Sequence, residues 1–130
     1  MAEVFGVIMG SCQLLEHVLK LCNGVQTAMD APQDIFTLNQ SLNALKEVMD
    51  RMLKRLPEDS ATLEYLRGPI QLFEKDLDDI QLRLNKLNAK GSVSKRVRWA
   101  VSKQAEFSKV MSNLERYKSL FELAMVGDNK

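Results

Sequence analysis

The chain has 130 residues, a formal net charge of +1, 45% hydrophobic residues and 27% charged ones. That length accommodates one domain with a real but modest core. Abundant Leu, seven Met and few Gly or Pro favour an all-helical domain, and the near-zero charge argues neither for nor against a nucleic-acid partner.

The first predicted helix starts at about residue 2 and ends between Cys22 and Met29. Asn23-Gly24 is a candidate stop and Ala31-Pro32 a firm one. Apolar residues lie on almost every side of it, unlike an ordinary bundle helix. Its uncharged run, Val4 to Leu15, is about half of the roughly 20 residues a membrane span requires. Ala2, Gly6 and Gly10 recur every four residues and form one stripe of small side chains. Such a stripe has two readings. It can let this helix pack tightly within its own bundle, or let copies approach one another in lipid. The segment is therefore expected to be a conditional membrane helix, with Ala2, Val4, Phe5, Gly6, Val7, Ile8, Met9, Gly10, Leu14 and Leu15 as its inserting residues.

The N-terminus does not read as a secretory signal, because Glu3 stands where a basic region belongs. Ala2 excludes N-myristoylation, and no prenylation box closes the chain. Cys12 and Cys22 are ten residues apart on one helix, roughly 15 Å, too far for a disulfide. They read as small buried hydrophobes of a reducing compartment.

A second helix carries the seam Ile35, Leu38, Leu42, Leu45, Met49, Met52 and Leu56, whose spacing alternates three and four. Pro32 suits its first turn and Pro57 ends it. The next seam is Leu63, Leu66, Ile70, Phe73, Leu77, Ile80, Leu84 and Leu87. Gly68-Pro69 interrupts it, which predicts a short helix near residues 60–67 and a main helix from Pro69 to about Asn88. Gly91-Ser92 marks a turn.

The last helix is expected from about Ser94 to Met125. Its seam includes Val97, Ala100, Phe107, Met111 or Val110, Leu114, Tyr117, Phe121, and Ala124 or Met125. The predicted architecture is all-α, an antiparallel four-helix bundle over residues 1–126 with an additional short helix near 60–67. Residues 127–130 read as the start of a linker.

No residues converge on a catalytic site, so no enzyme, cofactor or metal is expected. His17 has no ligand partner at helical spacing and reads as structural. Asp76, Asp78 and Asp79 read as a solvated face. The basic cluster is more informative. Between Asp79 and Glu106 lie Arg83, Lys86, Lys90, Lys95, Arg96, Arg98 and Lys103, with no acidic residue among them. They straddle the turn between the last two helices and should gather at one end of the bundle. With Trp99 they form a candidate contact for anionic lipid, at about 1 kcal/mol per basic residue. The alternative is a solubilising loop with Trp99 in the core. Nucleic acid is not expected, because neither a recognition-helix motif nor an aromatic ladder accompanies the patch.

Several segments together resemble a known family. They are the opening Met-Ala-Glu-Val-Phe-Gly-Val-Ile, the junction Asp30-Ala31-Pro32-Gln33-Asp34-Ile35, Lys95-Arg96-Val97-Arg98-Trp99, and Asn113-Leu114-Glu115-Arg116-Tyr117-Lys118-Ser119-Leu120. In that order and spacing they resemble the HeLo-like (HELL) domains at the N-termini of fungal NLR-type STAND proteins. The resemblance covers nearly the whole chain. It implies a helical bundle related to the HeLo domain and to the N-terminal bundle of the necroptosis executioner MLKL. It also implies a cell-death effector that oligomerises and permeabilises membranes through its N-terminal helix, Ala2 to about Leu21.

The resulting expectation is a bundle that is cytoplasmic at rest and reaches the plasma membrane when an NLR-type or amyloid-signalling sensor brings copies together. The setting implied is fungal immunity and heterokaryon incompatibility. The rival expectation is an interaction or oligomerisation module without membrane activity. Glu3, Glu16 and Lys20 lie within or beside the inserting helix. They would have to cross the bilayer, stay among headgroups or face a wet pore.

Overall fold

A computed structural model of the chain describes residues 2–27, 33–56, 61–88 and 104–128. All of these residues except short helix ends and one turn are helical, and no strand occurs among them. Among the described residues five helices pack together around one apolar core: α1 (Ala2–Gln26), α2 (Gln33–Arg55), α3 (Ala61–Tyr65), α4 (Arg67–Asn88) and α5 (Gln104–Asp128).

Every predicted seam residue of α2 is buried, and Val48 joins them. Asp34 in its first turn and Lys54 and Arg55 in its last complement the helix dipole. The whole predicted seam from Leu63 to Leu87 is also buried. The break in it falls at Leu66. There the Leu66 N–H reaches back to the Leu63 carbonyl (3.1 Å), and the Ile70 N–H then donates to the Leu66 carbonyl (2.8 Å). Pro69 therefore sits in the first turn of α4, where a missing N–H leaves no intrahelical bond unmade.

In α5 the core takes Val110 over Met111 and Met125 over Ala124. Its helix continues through Gly127 to Asp128, two residues into the segment expected to be linker. Val97 and Ala100 lie outside the described residues, as do the Pro57 stop and the Gly91-Ser92 turn.

α1 does not stop at Asn23-Gly24. Gly24 keeps an ordinary helical φ, so the left-handed cap that glycine permits is not used, and the helix runs on to Gln26. α1 also has an ordinary seam hidden in its apolar surface. Val4, Ile8, Ser11, Leu15, Val18, Cys22 and Val25 are all buried, at spacings alternating four and three. Cys12 and Leu19 widen the buried side, and both cysteines are free and buried.

Long-range contacts fix the directions. Asn39 bonds Asn23, Lys46 pairs with Glu16, and the Cys22 thiol points at the Ile35 carbonyl, so α1 and α2 are antiparallel. Phe73 meets Phe121 while Asp76 meets Asn113 and Tyr117, so α4 and α5 are antiparallel as well. Asp34 and Thr37 share a groove with Phe107, Ser108 and Met111, which makes α2 and α5 parallel. It follows that α1 and α4 are parallel. The extensive contacts are α1 with α4, α1 with α2, and α2 with α5; α4 and α5 touch less. Helices consecutive in the chain thus run antiparallel, yet two of the main lateral contacts are parallel. Between α2 and α4 in the chain, α3 contacts both α1 and α4.

Candidate membrane-active surface

α1 has an inner seam of core residues and an outer face that changes character halfway along. Its first half presents Gly6, Met9, Gly10 and Gln13, none of them charged. Its second half presents Glu16, His17, Lys20 and Asn23. Met9 is 44% exposed. Of the other proposed inserting residues, Val4, Ile8 and Leu15 are buried, and Phe5, Val7 and Leu14 are partly buried against the core. The side chain of Ala2 lies outside the described residues.

The glycines correct one of the two readings of the small-residue stripe. A Cβ added at Gly6 or Gly10 would meet nothing within 4 Å. Both glycines therefore face open space, and tight packing inside this bundle does not explain them.

Because α1 is unbroken, Val4–Gln26 is long and apolar enough to cross a membrane by length and composition. The uncharged run alone fell short. The same criterion is met by core helices of soluble proteins, and 33% of the most apolar window is buried here. Glu16 and Lys20 remain the charges within it, and Glu16 is already paired with Lys46 at 3.6 Å across the α1–α2 seam.

Two members of the predicted basic patch can be placed. Lys86 is exposed in the last turn of α4. Arg83 has a side chain only 12% exposed and donates its Nε–H to Asp79 at 2.9 Å, so its charge is committed within α4. Lys90, Lys95, Arg96, Arg98, Trp99 and Lys103 lie outside the described residues. The parallel course of α1 and α4 places Lys86 and Gly6 at opposite ends. With Ser11 level with Glu74, the two are separated by about 25 Å along the axis at 1.5 Å per residue. The structure therefore does not bring Lys86 and the small-residue stripe together.

The acidic cluster has structural work. Asp76 accepts hydrogen bonds from the Tyr117 hydroxyl (2.7 Å) and Asn113 (3.3 Å), and Asp79 holds Arg83. Burial, and then the hydrogen bond to Asp76 and its charge, push the Tyr117 phenol well above its ordinary value of 10.0. A raised folded value means the neutral phenol stabilises the fold fully below pH 10, and that contribution fades as pH rises through the folded value. Wild-type protein should therefore lose stability above pH 10 more steeply than Tyr117→Phe in urea titrations. At pH 7 the variant should be about 1.5–3 kcal/mol less stable, the range for a hydrogen bond to a charged group.

His17 is exposed. Among the described residues no group of three or more His, Cys, Asp or Glu side chains is arranged to hold a metal.

Sequence reasoning missed two features. One is Ser11, fully buried on the α1 seam, whose Oγ lies 2.6 Å from Glu74 Oε1 on α4 and 3.1 Å from the Val7 carbonyl. Its position in the four-three spacing was the available signal. The other is an exposed apolar strip on α5: Leu120 (36%), Leu123 (67%) and Val126 (64%). No protein-family model, curated protein or solved structure matches the chain.

Proposed function

We propose that the chain is a HeLo-like domain, an antiparallel four-helix bundle with α3 as its additional short helix. In this reading it is a cell-death effector, not an enzyme, which permeabilises membranes through α1 in fungal immune or incompatibility responses. The observation that carries the reading is the open, uncharged stretch from Gly6 to Gln13 on the outer face of α1. Gly6 and Gly10 serve no close packing contact inside the bundle; a Cβ there touches nothing within 4 Å. A helix whose seam is satisfied by the core and whose back is small and uncharged has a second surface available for lipid or for another α1.

The mechanism has three steps. An NLR-type or amyloid-signalling sensor clusters copies of the domain, which is cytoplasmic at rest. Lys86 and the basic residues that follow it draw the cluster to anionic lipid of the plasma membrane. α1 then leaves the bundle, and the Gly6–Gly10 face packs copies together in the membrane. Since Lys86 lies about 25 Å from Gly6 along the axis, the bundle lies along the membrane, so that both ends reach the headgroups. A gap of a few kcal/mol between the two states of α1 is enough for clustering to tip it.

The second reading is an interaction module, favoured by Leu120, Leu123 and Val126 on the outside of α5. Dye release from liposomes separates the two. Full-length protein fused to an inducible oligomeriser should release dye from anionic vesicles and spare neutral ones. If the folded, oligomerised protein neither binds nor opens anionic vesicles, the interaction-module reading replaces the effector. Truncating residues 1–12 is a poorer test, because it also removes Val4, Ile8 and Cys12 from the core.

A further inference from the structure

We propose that the Ser11–Glu74 hydrogen bond is a latch that holds α1 against α4 and sets how readily α1 separates from the bundle. The proposal rests on the reading that α1 leaves the bundle. Ser11 is 0% exposed and is the single buried polar residue among the described residues. It occupies a seam position that an apolar side chain or the Cys22 thiol fills elsewhere in α1. A polar group at such a position specifies one arrangement of helices, and removing one partner of such a hydrogen bond is destabilising.

The partners of the hydroxyl make the contact reversible. In the closed state the Ser11 hydroxyl has two acceptors, Glu74 Oε1 at 2.6 Å and the Val7 carbonyl at 3.1 Å, and one proton to donate. The carboxylate is the stronger acceptor. When α1 departs, the Val7 carbonyl travels with it, so the hydroxyl keeps a partner even in lipid. Glu74, which is only partly buried, is left to water. Opening therefore strands no polar group on either side.

Among the described residues the other polar ties on α1 run to α2: the buried Cys22 thiol, a weak donor, meets the Ile35 carbonyl at 3.6 Å, and the rest lie in solvent. Glu16 meets Lys46 at 3.6 Å, with side chains 53% and 35% exposed, and Asn23 meets the exposed amide of Asn39. Such contacts hold little. The buried tie to α4 is the one placed to control release.

Cys12 and Cys22 are buried on α1 and report its opening directly, because a thiol must be exposed to be alkylated. The experiment follows alkylation of both thiols and hydrogen exchange of every helix in the full chain without lipid. Ser11→Ala should speed Cys12 alkylation and α1 exchange by about tenfold or more, leaving α5 unchanged. Glu74→Ala should do the same, and the double variant should be no faster than either single one. Glu74→Gln, which keeps an acceptor oxygen, should fall between wild type and Glu74→Ala.

Exchange that rises equally in all helices, an unchanged α1, or additive single effects would each overturn the latch. Because Glu74 is on the surface side of the contact, its variants test the idea even if Ser11→Ala unfolds. Liposome assays on the same variants keep the two claims apart. Faster α1 opening without leakage leaves the latch standing and removes the membrane reading. Leakage by wild type with no α1-selective change in the variants does the reverse.

Discussion

Replacing Gly6 and Gly10 together with leucine should reduce liposome leakage by about tenfold or more while leaving the folded bundle at least as stable. The first half follows from close approach. Two helices that meet along small residues lose that close contact when bulky side chains separate their backbones. The second half follows from the open space around both positions, where a new Cβ meets nothing within 4 Å. Glycine inside a helix costs roughly 0.5–1 kcal/mol relative to alanine, so removing it from an unobstructed site stabilises the helix. Urea unfolding followed by circular dichroism supplies the stability and vesicle dye release the activity. A variant that loses both together would return the stripe to a packing role and sink the effector reading as stated.

Phe73→Ala should be the most damaging single change to the fold. Phe73 is 0% exposed on α4, with its ring centroid 5.4 Å from that of Tyr117 and 6.0 Å from that of Phe121 on α5. The two neighbours are themselves stacked at 6.5 Å, so the three rings form one cluster between α4 and α5. Truncating a buried Phe to Ala costs about 3–5 kcal/mol, through lost transfer energy and the cavity left behind. A domain of this size has about 5–15 kcal/mol in all. The α4–α5 contact is also less extensive than those of α1 with α4, α1 with α2 and α2 with α5, so few neighbouring contacts remain to compensate. Leu123→Ala, at a position 67% exposed, is the matched control and should change stability by no more than about 0.5 kcal/mol. Urea midpoints of the two variants give the comparison. Equal small losses would mean that the aromatic cluster does not anchor α5.

Much of the fold was legible because α2 and α4 place apolar residues against a polar background. Ile35 to Leu56 and Leu63 to Leu87 alternate three and four without exception, and each of these residues is buried. The break before α4 was equally legible, since Pro69 cannot extend a helix begun at Ala61. The candidate site was less so. α1 is apolar on several sides, so its periodic contrast is weak, and the seam that includes Ser11 was concealed among residues of the same kind. Glu74 was lost for a different reason, being one carboxylate among several on a polar face until α1 is laid against it.

By itself, then, the amino-acid order determined that the described stretches are helical, that a short helix gives way to a longer one within a few residues of Pro69, and which sides of α2 and α4 turn inward. These are local matters, decided by spacing over one or two turns and by the backbone chemistry of proline. Only the tertiary structure decided that α1 and α4 run side by side in the same direction and that Gly6 and Gly10 face away from the core. It alone separated them from Lys86 and joined Ser11 to Glu74. Those outcomes depend on which helices become neighbours. Neighbours are chosen by the combined packing of the whole core, and the spacing within any one helix carries no record of that choice.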